Sequence, residues 1–79
     1  MKYLIMEDFS GQPVPFIFPR RVDHADMRDQ LPYKTVLSCG YMEMTGGSIA
    51  CYGGCAELEK QARPEDEAIL REALRERAH

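Results

Sequence analysis

Apolar and polar positions alternate along the chain in short runs broken by proline, glycine and acidic residues. Lys2 to Met6, with β-favouring Tyr3 and Ile5 and a stop at Asp8, Ser10 and Gly11, predicts an opening strand. Val14 to Phe18 resumes that pattern. Pro13, Pro15 and Pro19 each remove a backbone donor there and confine the segment to a sheet edge. Asp23 stands where an N-cap is needed for a short helix through about Leu31, with Ala25, Met27 and Leu31 available for packing and Pro32 as its end. Thr35 to Met44 and Ser48 to Gly53 read as a hairpin closed by Thr45-Gly46-Gly47-Ser48, because Gly-Gly supplies the positive φ angles of a two-residue primed turn. That turn sets Met42 against Cys51 and Tyr41 against Tyr52, and gathers Val36, Met42, Met44, Ile49 and Cys51 on one apolar face. Pro64, the acids Glu65 to Glu67, and Ile69, Leu70, Ala73 and Leu74 at helical spacing predict a terminal helix to about Arg77. The order β-β-α-β-β-α implies a small α+β fold over residues 1–79, a single domain with a mostly antiparallel sheet and its helices packed on one side.

Composition narrows the functional classes. A chain of 79 residues is near the lower limit for a self-sufficient core, and 44% hydrophobic with 29% charged residues is ordinary globular usage. A net charge of -3 has the wrong sign for holding nucleic acid through its phosphates, so no direct nucleic-acid binding is expected. The apolar runs are far shorter than the roughly 20 residues of a membrane span, and the N-terminal segment lacks the apolar region of a secretory signal. The expectation is a cytoplasmic protein that does not engage membranes. Three cysteines, an odd count, argue against a disulfide framework.

Four landmarks then line up: Phe18-Pro19 followed by His24 at a helix start, Ser38-Cys39-Gly40 within a strand, Cys51-Tyr52-Gly53 at a strand end, and Arg63-Pro64-Glu65-Asp66 opening the last helix. Together, over roughly residues 16 to 70, they resemble small proteins encoded by tailed phages and prophages. Cys55 departs from that pattern, which prefers a small hydroxyl residue there. Small acidic phage proteins without catalytic motifs are often inhibitors of host defence, and the chain looks like that class, including the anti-CRISPR proteins that bind type I effector complexes. The resemblance implies a protein that is not an enzyme, needs no cofactor, acts in the host cytoplasm and has a host defence complex as its partner. The physical component is that such complexes line their nucleic-acid channels with Lys and Arg, for which displayed carboxylates compete with phosphate.

The candidate partner-binding residues are Asp23, Asp26, Asp29, Glu43, Tyr41 and Tyr52. The three aspartates recur at i, i+3 and can form a ridge interrupted by Arg28, against the plainer reading of a solvated face with Asp23 as a cap. Tyr41 and Tyr52 offer a large contact area for few rotamers, or else a cross-strand pair packed under a helix. Cys51 and Cys55 with Cys39 and His24 contain the donors of a zinc site, but a lone C-x3-C lacks the paired clusters such sites use, so the thiols are read as packing and no metal or catalytic residue is assigned. An oligomeric sponge for a nucleotide signal is the alternative, drawing on Arg20, Arg21, Arg63 and Lys34, and a virion assembly factor is another. The stripe on the terminal helix suits core packing, or a homodimer completed by a second copy.

Overall fold

The computed structural model describes residues 1–77. Its elements run β1 (Lys2–Glu7), β2 (Pro13–Phe18), α1 (His24–Asp29), β3 (Val36–Thr45), β4 (Ser48–Tyr52), β5 (Gly54–Cys55), a 3-10 turn (Ala56–Leu58), β6 (Lys60–Gln61) and α2 (Asp66–Arg77). β1 and β3 are the two inner strands of a sheet with the order β2-β1-β3-β4, in which every neighbouring pair is antiparallel. The α+β class and the succession of main elements are as the sequence predicts. β5 and β6 add a small hairpin of their own, turning through Glu59 in the left-handed region at φ 56°. Among the described residues, no helix is long and apolar enough to cross a membrane.

The helices do not share a side of the sheet as expected. Tyr3, Leu4, Ile5 and Met6 are all fully buried, and alternation along a strand sends two of them to each face. Leu4 and Met6 join Phe18, Val36, Cys39 and Cys55 in one layer, covered by Met27 of α1 and by Leu31 just beyond it. Tyr3 and Ile5 join Met42, Ile49 and Leu70 in the other, covered by α2 through Leu70, Ile69 and Leu74. An unbroken apolar run in β1 needs a cover on both faces, and one helix goes to each.

The β3–β4 hairpin has the predicted register, Tyr41 opposite Tyr52, Met42 opposite Cys51 and Met44 opposite Ile49, with Gly46 and Gly47 at φ 56° and 86° in its turn. Its apolar face is smaller than expected. Between β1 and β3 the register passes from Ile5 opposite Ser38 to Met6 opposite Val36, a bulge that leaves Leu37 over. Val36 therefore packs in the α1 layer, whereas Met42 and Ile49 lie in the α2 layer, and Met44 is 59% exposed near the hairpin tip. At the opposite edge, Pro13 and Pro15 leave β2 with few outward donors and discourage further strand pairing.

α2 is fastened to the sheet by a buried carboxylate. Asp66 is wholly buried; its Oδ2 accepts from Tyr3 Oη at 2.6 Å and from the Arg63 backbone N–H at 2.9 Å. Its Oδ1 accepts from Ser38 Oγ at 2.9 Å and from Arg63 Nε at 3.0 Å. The bond to the Arg63 N–H resembles the acidic half of a capping box and closes the turn Arg63–Asp66 that leads into α2, in which Asp66 N–H also donates to the Arg63 carbonyl at 3.1 Å. Replacing Asp66 by Asn removes the charge facing Arg63 and offers an amide donor where the carboxylate accepted. Stability in urea titration is expected to fall by about 3 kcal/mol with an unchanged slope. A loss below about 1 kcal/mol, the worth of one ordinary hydrogen bond, would show that the network does not hold α2.

Candidate functional site

The end of the sheet at which β1 begins carries the densest group of partly exposed aromatic and charged side chains. Lys2 pairs with Phe18 on one side and with Tyr41 on the other, so the residues after β2 arrive near the middle of β3. Lys2 Nζ donates to the Val22 carbonyl at 2.9 Å and ties that connection down. The rings of Tyr41 and Tyr52 are stacked, with centroids 5.8 Å apart and planes 22° from parallel. Arg20 lies over Tyr41, its Cζ 5.3 Å from the ring centroid, and its Nη2 donates to Tyr52 Oη at 2.9 Å. Tyr52 Oη donates in turn to Glu43 Oε1 at 3.3 Å. A cation, a hydroxyl and a carboxylate are thus in line across an exposed aromatic pair.

Two glycines and a histidine make room for this pair and brace it. Gly53 has φ 71°, and a Cβ there would come 3.0 Å from the Tyr41 ring. A Cβ on Gly40 would meet the Tyr52 carbonyl oxygen at 2.6 Å, too close for any side chain. His24, buried at the start of α1, packs edge-on against both Phe18 and Tyr41 with centroids at 5.4 and 5.8 Å. Its Nε2 donates to the Gly40 carbonyl at 2.9 Å, which puts the ring proton on that nitrogen.

Of the residues singled out from the sequence, Tyr41, Tyr52 and Glu43 come together. Asp23, Asp26 and Asp29 are exposed on and before α1, whose first turn borders Tyr41 through His24. They do not form an uncompensated acidic ridge. Asp29 is bonded to Arg28 at 3.0 Å, and Asp23 lies 3.9 Å from Lys2. Asp23 occupies the N-cap position without making a side-chain cap bond; its carboxylate is drawn to Lys2 instead. Asp26 makes no ion pair among the described residues, and it is the acid of α1 best placed to meet an outside cation. Arg20 and His24 were not among the expected contact residues. The signal for Arg20 was its place just past β2, legible once β1 is known to lie between β2 and β3.

The groups that acid–base or nucleophilic chemistry would need are kept apart. His24 packs on the α1 side, whereas Ser38 and Asp66 bond each other on the α2 side. Cys39 and Cys55 lie in the α1 layer, on the side where His24 packs, and Cys51 packs against the α2 layer, so the three thiols do not gather in one place. No cluster of metal-binding side chains occurs among the described residues. The cations of the sponge alternative are likewise dispersed. Arg20 is on the tyrosine pair, Arg63 on Asp66, and Lys34 at the other end of β1 near Phe9. The chain matches no family model, no curated protein and no solved structure.

Burial pushes the Cys39 thiol up to about 12, with Cys55 beside it adding to the effect. Burial likewise pushes Cys51 up to about 11, helped by the carboxylates of Asp66 and Glu67. Both values exceed those of unfolded thiols, so the folded state holds these protons more tightly. The associated stability is complete below the unfolded pKa and is lost as pH rises through the folded values. Chemical denaturation is therefore expected to show falling stability from about pH 9 toward pH 12. A Cys39→Ala, Cys51→Ala double variant should make that loss shallower, with the buried Tyr3 hydroxyl, which is also raised, accounting for a remaining part; an equally steep decline in the variant would assign all of it to other groups.

Proposed function

We propose that the protein works by binding rather than by chemistry, and that its contact surface is the Tyr41–Tyr52 platform with Glu43, Arg20 and the neighbouring Asp26. The carrying observation is the state of Tyr52. The residue is 41% exposed, yet its ring is stacked on Tyr41 and its hydroxyl is held between Arg20 and Glu43. An aromatic side chain already fixed in one rotamer gives contact area with little further loss of entropy, which is how binding anchors gain affinity. The separation of His24 from Ser38 and Asp66 on opposite faces of the sheet supports a role without catalysis.

The partner in this proposal is a host defence complex of the type I CRISPR effector kind, engaged at a Lys- and Arg-lined nucleic-acid surface. That choice rests on the likeness to small phage proteins together with the net charge of -3. Glu43 and Asp26 are the acids that would meet the partner's cations. Asp29 contributes less, because Arg28 already occupies it.

Binding of the purified protein to an isolated type I effector complex tests the reading. Tyr52→Ala is expected to weaken it by about 30-fold, the scale of a hot-spot truncation. Reversing Asp26 and Asp29 together to Lys is expected to abolish it while leaving thermal unfolding nearly unchanged, since both side chains are exposed. Affinity should also decline with salt, because exposed charges are screened beyond about 8 Å at physiological ionic strength. Absence of binding by the unaltered protein would reject the partner. Unchanged binding by a folded Tyr52→Ala variant would reject the platform.

A further inference from the structure

Three of the chain's five methionines meet at one place. Met1, Met42 and Met44 line a cleft of about 310 Å³ beside the β3–β4 hairpin, completed by Glu43 and Thr45. Strand register puts them there. The Met42 N–H donates to the Met1 carbonyl at 2.8 Å and the Met1 nitrogen donates back to the Met42 carbonyl at 3.1 Å, so the two residues stand directly opposite each other and their side chains leave the sheet on one face. Met44 is two positions further along β3 and shares that face. Directly opposed side chains begin about 5 Å apart and alternate ones on a strand about 7 Å apart, separations that unbranched side chains with three rotatable bonds can close onto a common point. The face is the one that α2 covers, and the cover ends at this cleft. Met42 is buried in the α2 layer with Ile49, whereas Met44, opposite Ile49, is 59% exposed and Met1 is 50% exposed. The two exposed members contribute little to the core, and what the three share is a soft sulfur donor.

We propose that the cleft binds a soft monovalent cation, Cu(I), through the sulfurs of Met1, Met42 and Met44. A thioether is a neutral, polarizable donor that suits Cu(I) and not the hard cations taken by oxygen ligands. A site for zinc or calcium would need imidazole, thiolate or several carboxylates, and no group of three such side chains occurs among the described residues. The one carboxylate on the rim, Glu43, alternates with the methionines along β3 and bonds Tyr52 Oη from the other face. Its charge is close enough to offset that of a single bound monovalent ion without displacing a sulfur. Cys51 pairs with Met42 from β4, but the cleft is lined without it. Tyr41 and Tyr52 lie on the face opposite the three methionines, so the inference does not depend on the binding role proposed for them.

Silver(I), which has the charge and donor preference of Cu(I) without its redox chemistry, is the probe. It is titrated into the full chain labelled at the methionine methyl carbons, past three equivalents so that the three free thiols cannot hide the cleft by taking silver first. The methyl signals of Met1, Met42 and Met44 are expected to shift together and to saturate, while those of Met6 and Met27, which pack in the α1 layer, stay in place. Met44→Leu keeps an apolar side chain of similar size and removes one sulfur. It should weaken the response of Met1 and Met42 by at least about tenfold, the lower end of what losing even an outer partner costs a metal site, with circular dichroism unchanged. Cys51→Ala should leave the three shifts intact. Methionine methyls that do not move anywhere in the titration would overturn the proposal. So would an unweakened response in folded Met44→Leu, or loss of the three shifts in Cys51→Ala, which would make the thiol the binding group.

Discussion

A carboxylate cannot sit without solvent in an apolar layer unless its oxygens find donors, and Asp66 recruits them from three parts of the chain. Tyr3 belongs to β1, Ser38 to β3 beside it, and Arg63 to the entry of the terminal helix. Each donor fixes a different relation: the position of α2 over β1, its position over β3, and the direction in which it starts. Apolar contacts of Leu70, Ile69 and Leu74 then supply the bulk of the packing, but they are non-directional and would tolerate a shifted helix. Its own burial first, and then its bond to the Asp66 carboxylate, raise the Tyr3 hydroxyl far above its usual range. Tyr3 therefore remains a donor, and the network keeps the same polarity throughout the neutral range.

The placement of one helix on each face explains why the aromatic platform is available. α2 guards the Tyr3 and Ile5 side, and α1 covers only the Leu4 and Met6 side as far as His24. Beyond His24 the α1 side of the sheet has no helix over it, and Tyr41, Tyr52 and Glu43 stand there. The four sequence landmarks turn out to be mostly scaffold. Ser38 and Asp66 bond each other, His24 bonds the Gly40 carbonyl, and Gly53 yields the space used by the Tyr41 ring. Those residues therefore account for how the platform is built, while the side chains it displays are Tyr52, Glu43 and Arg20.

Local signals were legible where one residue type has one conformational use. Gly46-Gly47 gave the hairpin and with it the pairing of Tyr41 and Tyr52, and the prolines of β2 gave its place at an edge. What escaped depends on relations between distant segments. The bulge at Leu37 moves Val36 to the other layer, and no residue in that stretch announces it. Glu59 adopts a left-handed conformation that glycine or asparagine would have signalled. The division of the helices between two faces was available in principle, since four adjacent apolar residues in a strand point two each way. Asp66 was read only as a favourable charge at a helix start. Its burial follows from Tyr3 and Ser38 arriving on the same side, which requires the strand order. The acidic ridge was overdrawn for a similar reason, because Lys2 lies twenty-one positions before Asp23 and meets it only in the folded chain.

The line from Arg20 through Tyr52 to Glu43 bears on what the platform can select. Had Arg20 bonded Glu43 directly, the two charges would have cancelled and an incoming ion would have had to displace one of them. Instead a neutral hydroxyl stands between them, accepting from Arg20 and donating to a single oxygen of Glu43. The other carboxylate oxygen is left to receive a guanidinium or ammonium from outside, without breaking the bond that orients Tyr52. A phosphate approaching Arg20 meets the opposite situation, since Glu43 repels it and Arg20 is already engaged with the Tyr41 face and the Tyr52 hydroxyl. In the binding role proposed above, the side chains that hold the aromatic pair still are also those that would meet a partner's cations, so rigidity and charge preference would arise from one arrangement.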